Sequence, residues 1–274
     1  MKSISVVIVT YNSSKVLAAC LESIPVHAQV LVVDNSSDDG TRQIAARLGA
    51  KIICNETNLG FGCACNLGAE QASGSYILFL NPDASLGPES LEKLEQAALR
   101  YPDAAAFGPN ITSPTGIEPF RFVNYVVEQG RRKTVDGDIP AGDCCVGFIN
   151  GAAFFCRRDI FLKLGGFDKN IFLYFEDDDL CFRLQRNGYP MIYVPSSTVL
   201  HRKGRSTRRS LRGEYSRAWH QVRSRMYVCD KYGLRQNLSE LRRKALLRST
   251  RAVLTLNFAK ALRHLAAFRA MTVP

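Results

Sequence analysis

The chain has 274 residues, 46% of them hydrophobic, and a formal net charge of +11 at pH 7, which fits a globular protein of one large domain or one domain plus an extension. Nine scattered cysteines lack the C-x-x-C spacing of a zinc site, so free thiols in a reducing compartment are expected, and the opening MKSISVVIVTYN is too briefly apolar for a signal sequence or a membrane span. The charge is divided: residues 1–200 carry 17 Lys+Arg against 22 Asp+Glu, net −5, and residues 201–274 carry 19 against 3, net +16, a near-neutral body with a basic tail suited to anionic partners.

Residues 4–10, ISVVIVT, form a continuous β-branched run that suits a strand buried on both faces. The stretch 13–24 opens on Ser and repeats apolar residues with helical spacing. A second buried strand is predicted at 30–34, a helix capped by Ser37, Asp38 and Asp39 runs to about Leu48, and KIIC at 51–54 is a third strand. The loop NLGFG at 58–62 leads into a helix near 63–72, SYILFL at 75–80 is a fourth strand, and Pro88 to Arg100 is an amphipathic helix. Strand-helix alternation of this kind implies right-handed crossovers and a mostly parallel sheet flanked by helices, an α/β class.

Ligands of such sheets bind beyond the carboxyl ends of the strands. The polar groups there are Thr10-Tyr11-Asn12, Asp34-Asn35, Asn58 and Asn81-Pro82-Asp83. Each alone is an ordinary turn or cap, but four at successive strand ends should converge on one crevice. The region 112–145, with Pro114, Pro119, Arg131-Arg132-Lys133, Gly137 and Pro140, reads as a long loop or flap. Residues 147–156 are predicted as a strand with a bend at Asn150-Gly151, and Arg157 to Leu164 as a short helix ended by Gly165-Gly166.

Four acids in a row, Glu176, Asp177, Asp178 and Asp179, precede Leu180 and Leu184 at i, i+4 spacing, which places them at a helix start ended by Gly188-Tyr189-Pro190. The plain reading is a solvated acidic helix start. Against it stand the preceding aromatics Phe172, Tyr174 and Phe175, which point to partial burial, where adjacent like charges need a cation or a proton. A strand, MIYVP, and a single His201 follow. Residues 201–210 form a basic loop. Residues 213–231 are predicted as one helix, which packs on its own domain, on a partner chain or on a membrane. Residues 238–268 are predicted as a basic amphipathic helix suited to an anionic membrane surface.

The runs SVVIVTYNSS (5–14), LVVDNSSDDGT (31–41), NLGFGCACNLG (58–68), ILFLNPDA (77–84) and FINGAAFFCRRDIFLKLGGFDKNIFLYFEDDDLCFRLQRNGYPMIYVPSSTVLH (148–201) resemble glycosyltransferase family 2, closest to its rhamnosyltransferase-like branch. The resemblance covers about residues 3–232. It implies an inverting enzyme with the GT-A (Rossmann-like) fold, a catalytic domain at 1–205 and a basic helical extension at 206–274. It implies that Thr10, Tyr11, Asn12, Asp34, Asn58, Gly60, Asn66 and Asn81 line a nucleotide site. Asp83 would match the last acid of the family's D-x-D motif and would hold a divalent cation, Mg or Mn, with His201. Asp177 would be the general base, with Glu176, Asp179, Asn150 and Gly151 on the substrate side. The first acid of D-x-D is Asn81 here, so the cation would be loosely held.

The expected activity is therefore transfer of a hexose, rhamnose from dTDP-rhamnose by subfamily resemblance, to a hydroxyl of a lipid-linked or cell-envelope glycan. A UDP-hexose donor is the alternative. The expected partners are the nucleotide sugar, the acceptor and an anionic membrane surface, with a homodimer left open. The expected place is the inner face of the cell membrane, peripherally attached. A nucleotidyltransferase would show a Gly/Lys-rich phosphate loop near its start, and TYNSS has none. A nucleic-acid partner is not expected: the tail's aromatics lie at helical spacing, not as a stacking platform.

Overall fold

The run ISVVIVT forms β1 (Ile4–Thr10), and every residue in it is buried. Its side chains alternate between two cores, as the pleat requires: Ile4, Val6 and Ile8 enter one, Val7 and Val9 the other. Burial on both faces is the reason the run shows no polar alternation. The structure is a computed structural model that describes residues 3–114, 116–117, 123–126, 140–202 and 210–273.

After β1 come α1 (Leu17–Glu22), β2 (Gln29–Asp34), α2 (Thr41–Arg47), β3 (Lys51–Cys54), α3 (Phe61–Gln71) and β4 (Tyr76–Leu80). Then follow β5 (Ala84–Leu86), α4 (Ser90–Arg100), β6 (Ala106–Ser113), β7 (Gly116–Ile117), β8 (Cys144–Cys145), β9 (Ala153–Arg157) and α5 (Arg158–Lys163). The chain closes with α6 (Glu176–Arg186), β10 (Met191–His201), α7 (Leu211–Lys231), α8 (Leu238–Leu254) and α9 (Phe258–Ala270).

The ten strands of the described residues join one sheet in the order β3-β2-β1-β4-β9-β6-β10-β5, with β7 beside β6 and β8 beside β10. The first four are parallel, and so are β6 and β10. Between these two parallel groups lies β9, antiparallel to both neighbours. Helices cover both faces. α1 and α4 contribute Leu17, Leu91 and Leu94 to one core, and α3, α5 and α6 contribute Cys65, Phe161 and Leu180 to the other. α3 lies tight on β1: a Cβ at Gly68 would meet Val7 Cγ1 at 2.3 Å. Each large side chain buried this way contributes about 1.5–3 kcal/mol. All nine cysteines are free.

Several boundaries differ from expectation for identifiable reasons. α1 begins only at Leu17, because the Ser13 carbonyl first accepts from Val16 N and Leu17 N in a turn. The N-cap of α2 is Gly40, without a side-chain cap, since Asp39 accepts instead from Ser14 N and from Thr41 N and Oγ1. The strand expected from 147 starts at Ala153, because the Asn150 carbonyl and side-chain oxygen accept from Ala153 N and Ala152 N in a tight turn. β5 and β6 lie where no strand was predicted. The helix expected over 238–268 is two helices: the Asn257 side chain accepts from Lys260 N and caps a new start. Arg131, Arg132, Lys133, Pro119 and Gly137 of the expected flap, and residues 203–209 of the basic loop, lie outside the described residues.

The tail does not hang free of the body. α7 buries Val228 and Cys229 against Tyr125, Ile171 and Phe175. Its Ser224 Oγ donates to the Leu173 carbonyl at 2.8 Å, and His220 stacks on Phe172 with centroids 4.1 Å apart.

Candidate active site

β1 and β2 pair so that Thr10 lies opposite Asp34. Thr10 Oγ1 donates to Asp34 Oδ1 at 2.9 Å. The remaining donors to Asp34 are Ser37 Oγ at 2.5 Å, Ser37 N at 3.0 Å and Arg42 Nε at 2.6 Å. Burial alone would raise the Asp34 carboxyl, but these donors outweigh it and hold the group below the usual carboxylate range. Asp34 is thus a fully buried anion whose charge organises the turn after β2. Asn12, in the left-handed region at φ 54°, donates its N–H to Ser37 Oγ and accepts from Asp38 N. Tyr11 is 43% exposed at the mouth of this end.

The Asn58 loop joins this cluster to the segment that leads to the acids. Asn58 Oδ1 accepts from Gly60 N, and the Gly60 carbonyl accepts from Asn35 Nδ2. Gly60 has φ +87°, and a Cβ there would sit 2.4 Å from the Phe172 carbonyl oxygen, so only glycine fits. Phe61 N donates to that same oxygen at 2.9 Å. Asn66 uses both ends of its amide on the Phe167 backbone, at 2.8 Å each. It ties α3 to the segment leading to the acids.

Beyond β4, Asn81 N donates to the Ala152 carbonyl at 2.9 Å, and the Asn81 amide nitrogen is 3.5 Å from His201 Nε2. Asp83 Oδ1 lies 3.3 Å from the same nitrogen. Both Asp83 and His201 are buried, and the antiparallel pairing of β5 with β10 brings them together across the sheet. A carboxylate oxygen and an imidazole nitrogen side by side suit a divalent cation that completes its shell with phosphate oxygens and water. Among the described residues no group of three or more His, Cys, Asp or Glu is placed to hold a metal ion, so the protein's own share of such a shell is small.

The four acids of α6 meet four different environments. Asp177 Oδ2 accepts from Gly151 N at 3.1 Å and its Oδ1 accepts from Asp178 N at 2.9 Å, while the side chain stays partly open to solvent. Asp178 accepts from Tyr125 N at 3.1 Å. Asp179, fully buried, accepts from Arg183 Nε at 2.8 Å and from Lys231 Nζ and Tyr232 OH at 2.6 Å each. Glu176 is buried, and its Oε2 has no hydrogen-bond partner among the described residues. Burial, reinforced by the charge of Asp177, pushes its carboxyl well above the usual range. The two residues before α6, Tyr174 and Phe175, are both in the left-handed region at φ 67° and 69°, strain that the packing of α7 overcomes.

Backbone hydrogen bonds link these groups in turn. Asn81 holds Ala152, the neighbouring Gly151 holds Asp177, and the Gly60 loop holds Phe172. Sequence reasoning named the strand-end and acid residues but missed Arg42, Ser37, Arg183, Lys231 and Tyr232. Lys231 is 52 residues from Asp179, a distance at which no spacing rule operates. Arg183, at i+4 from Asp179, was legible as a helix-face ion pair.

In an α/β sheet of this kind, ligands bind beyond the carboxyl ends of the parallel strands, where these polar residues lie. The family model described as Glycosyl transferase family 2 matches residues 5–164. An N-acetylglucosaminyl-diphospho-decaprenol L-rhamnosyltransferase of Mycobacterium tuberculosis is 32% identical over 237 residues, 74% of this chain and 77% of that protein. The rhamnosyltransferase WbbL of Escherichia coli K12 is 24% identical over 72% of this chain and 82% of its own length. A crystal structure of GalNAc-T7 with UDP, GalNAc and Mn2+ superimposes with a TM-score of 0.61 at 18% identity, over 73% of this chain and 43% of that one, a likeness that shows the GT-A fold. The chain belongs to glycosyl transferase family 2. It is a glycosyltransferase.

Proposed function

We propose that the protein transfers rhamnose, with inversion, from dTDP-rhamnose to a hydroxyl of a polyprenyl-diphosphate-linked sugar at the inner face of the cell membrane. The reading is supported by the relative whose name specifies rhamnosyl transfer onto N-acetylglucosaminyl-diphospho-decaprenol. The observation that carries it is that two acidic groups, Asp83 beside His201 and Asp177 on the Gly151 amide, stand on segments tied to each other by hydrogen bonds. The turn at Asn150–Ala152 joins them.

Asp177 is the general base. It takes the proton of the attacking hydroxyl, and the N–H groups of Gly151 and Asp178 fix the direction of its oxygens. Burial pushes the Glu176 carboxyl well above the usual range, which lessens the negative charge beside Asp177. Asn150 shapes the acceptor side through its turn, and Asp179 positions the start of α6 through Arg183, Lys231 and Tyr232. Asp83 and His201 would hold a divalent cation, Mg or Mn, which when bound would supply positive charge to offset that gathering on the departing diphosphate. Thr10, Asn12, Asp34, Asn58, Gly60 and Asn66 build the nucleotide wall, with Tyr11 and Asn81 facing the ligand.

Calorimetric titration with dTDP, UDP and GDP, in Mn2+ and again in EDTA, tests the donor half of this reading. Preference for dTDP, weakened by EDTA, is expected. Preference for UDP makes the donor a UDP-hexose, and binding indifferent to EDTA removes the cation from Asp83 and His201.

A further inference from the structure

The helical pair that ends the chain is packed inside out. α8 and α9 run antiparallel, with Ser249 Oγ donating to the Ala261 carbonyl and Arg242 bonded to the Met271 carbonyl. The residues buried between and beneath them are small: Ala245, Ser249 and Ala252 from α8, Ala261, Ala266 and Ala270 from α9. Of the large apolar side chains, Leu238, Leu241, Leu262 and Phe268 are half-buried, whereas Leu246, Leu247 and those at the corner are exposed. At the corner joining the helices, Leu254 is 83% exposed, Leu256 77% and Phe258 58%. Leu256 is held in the left-handed region at φ 53°, so the corner presents an apolar residue where a surface turn would ordinarily carry Gly or Asn.

The surroundings of this corner are cationic. Residues 238–273 contain eight Lys and Arg and a single acid, Glu240, which is paired with Lys244. Arg248, Arg251, Lys260 and Arg263 are exposed and flank the corner on both helices. Among the described residues, Arg263 alone of these reaches an acid, Glu214, at 3.7 Å. No helix among the described residues is long and apolar enough to cross a membrane.

We propose that the corner Val253–Phe258 is a membrane-docking wedge: its apolar side chains enter the boundary between headgroups and acyl chains of an anionic bilayer, and Arg248, Arg251, Lys260 and Arg263 engage the lipid phosphates. An apolar tip with a cationic collar is complementary to such a surface and to little else. Nucleic acid would satisfy the cations and leave the leucines in water. A second copy would cover the leucines but set one cationic collar against another across a twofold axis. The choice of a lipid bilayer as occupant rests on the proposed lipid-linked acceptor, whose reacting sugar lies at the headgroup level.

The test is flotation of the full chain with vesicles of phosphatidylcholine alone or mixed with phosphatidylglycerol. Binding to the mixed vesicles only, weakened by salt, is expected. The triple variant Leu254→Ser, Leu256→Ser, Phe258→Ser should lose about tenfold or more of that binding, while its circular dichroism and its affinity for dTDP stay unchanged. Arg248→Gln with Arg251→Gln, leaving the apolar residues in place, should lose the preference for anionic vesicles. Unchanged flotation of both variants, or a wild-type dimer that the triple variant turns into a monomer, overturns the proposal. Rhamnosyl transfer to a water-soluble acceptor analogue is measured on the same preparations. Vesicle binding without transfer leaves the wedge standing and removes the proposed function, and transfer without vesicle binding does the reverse.

Discussion

Of the four consecutive acids, Asp177 alone is fixed by two backbone N–H groups while remaining partly open to solvent. Asp177→Asn should therefore slow transfer by about 10²–10⁴-fold and leave dTDP affinity unchanged, a separation read by comparing turnover with calorimetric binding. Glu176 behaves oppositely. Its folded-state carboxyl is raised by burial and by Asp177, so it costs stability once the pH rises above the unfolded value of about 4.3. Glu176→Gln should raise the melting temperature, with a gain that grows from about pH 5 upward; a pH-independent change would contradict this. Asp168 has the reverse sign. Burial opposes its charge, but Lys231 Nζ, Asn170 N and Tyr227 OH hold it down at about 2. Its contribution is present above the unfolded value of about 4 and disappears as the pH falls toward about 2. Asp168→Asn should flatten acid unfolding in that window. The family resemblance singles out Asp177 among the four acids, but the differences in burial and in partners that separate these carboxylates are not legible in the sequence. The partners that distinguish them come from residues 124–125, 151 and 231–232.

At the scale of elements, α7 is a brace for α6. Lys231 joins Asp168 and Asp179, with distances of 2.6 Å to both. Lys231→Met should destabilise the fold by about 1–3 kcal/mol and lower turnover more than donor affinity, and Lys231→Arg should restore part of each loss. The helices themselves were largely legible, because their periodicity and terminal signals are local: α6 begins and ends where the acid run and Gly188 place it. The break within 238–268 was not, because Asn257 reads as an ordinary polar residue on a helix face until its side chain is seen capping Lys260 N. The unpredicted β6 contains Gly108, Pro109 and Asn110, residues of low strand propensity. It forms because β10 pairs with it from Ala106 to Thr112, and β9 takes its other edge at Ala106 and Phe107.

The molecule as a whole is a GT-A sheet with its candidate site beyond the carboxyl ends of the strands and a basic helical tail whose α7 packs against the acid-bearing segment. The charge boundary near residue 205 was plain in the sequence, but it marks a change of composition, while the packing of Val228 and Cys229 against Ile171 and Phe175 crosses it. We propose that the catalytic unit includes α7: truncation after residue 205 should abolish cooperative unfolding, and truncation after residue 236 should preserve dTDP binding while ending vesicle flotation. The central claim is that Asp177 drives rhamnosyl transfer onto a lipid-linked sugar. Its most direct test is a transfer assay with labelled dTDP-rhamnose and polyprenyl-diphospho-N-acetylglucosamine, comparing wild type with Asp177→Asn. The account predicts a labelled lipid product from the wild type and a rate lower by about a hundredfold or more from the variant. A wild type that makes no such product while accepting another nucleotide sugar, or a variant that works at the wild-type rate, would contradict it.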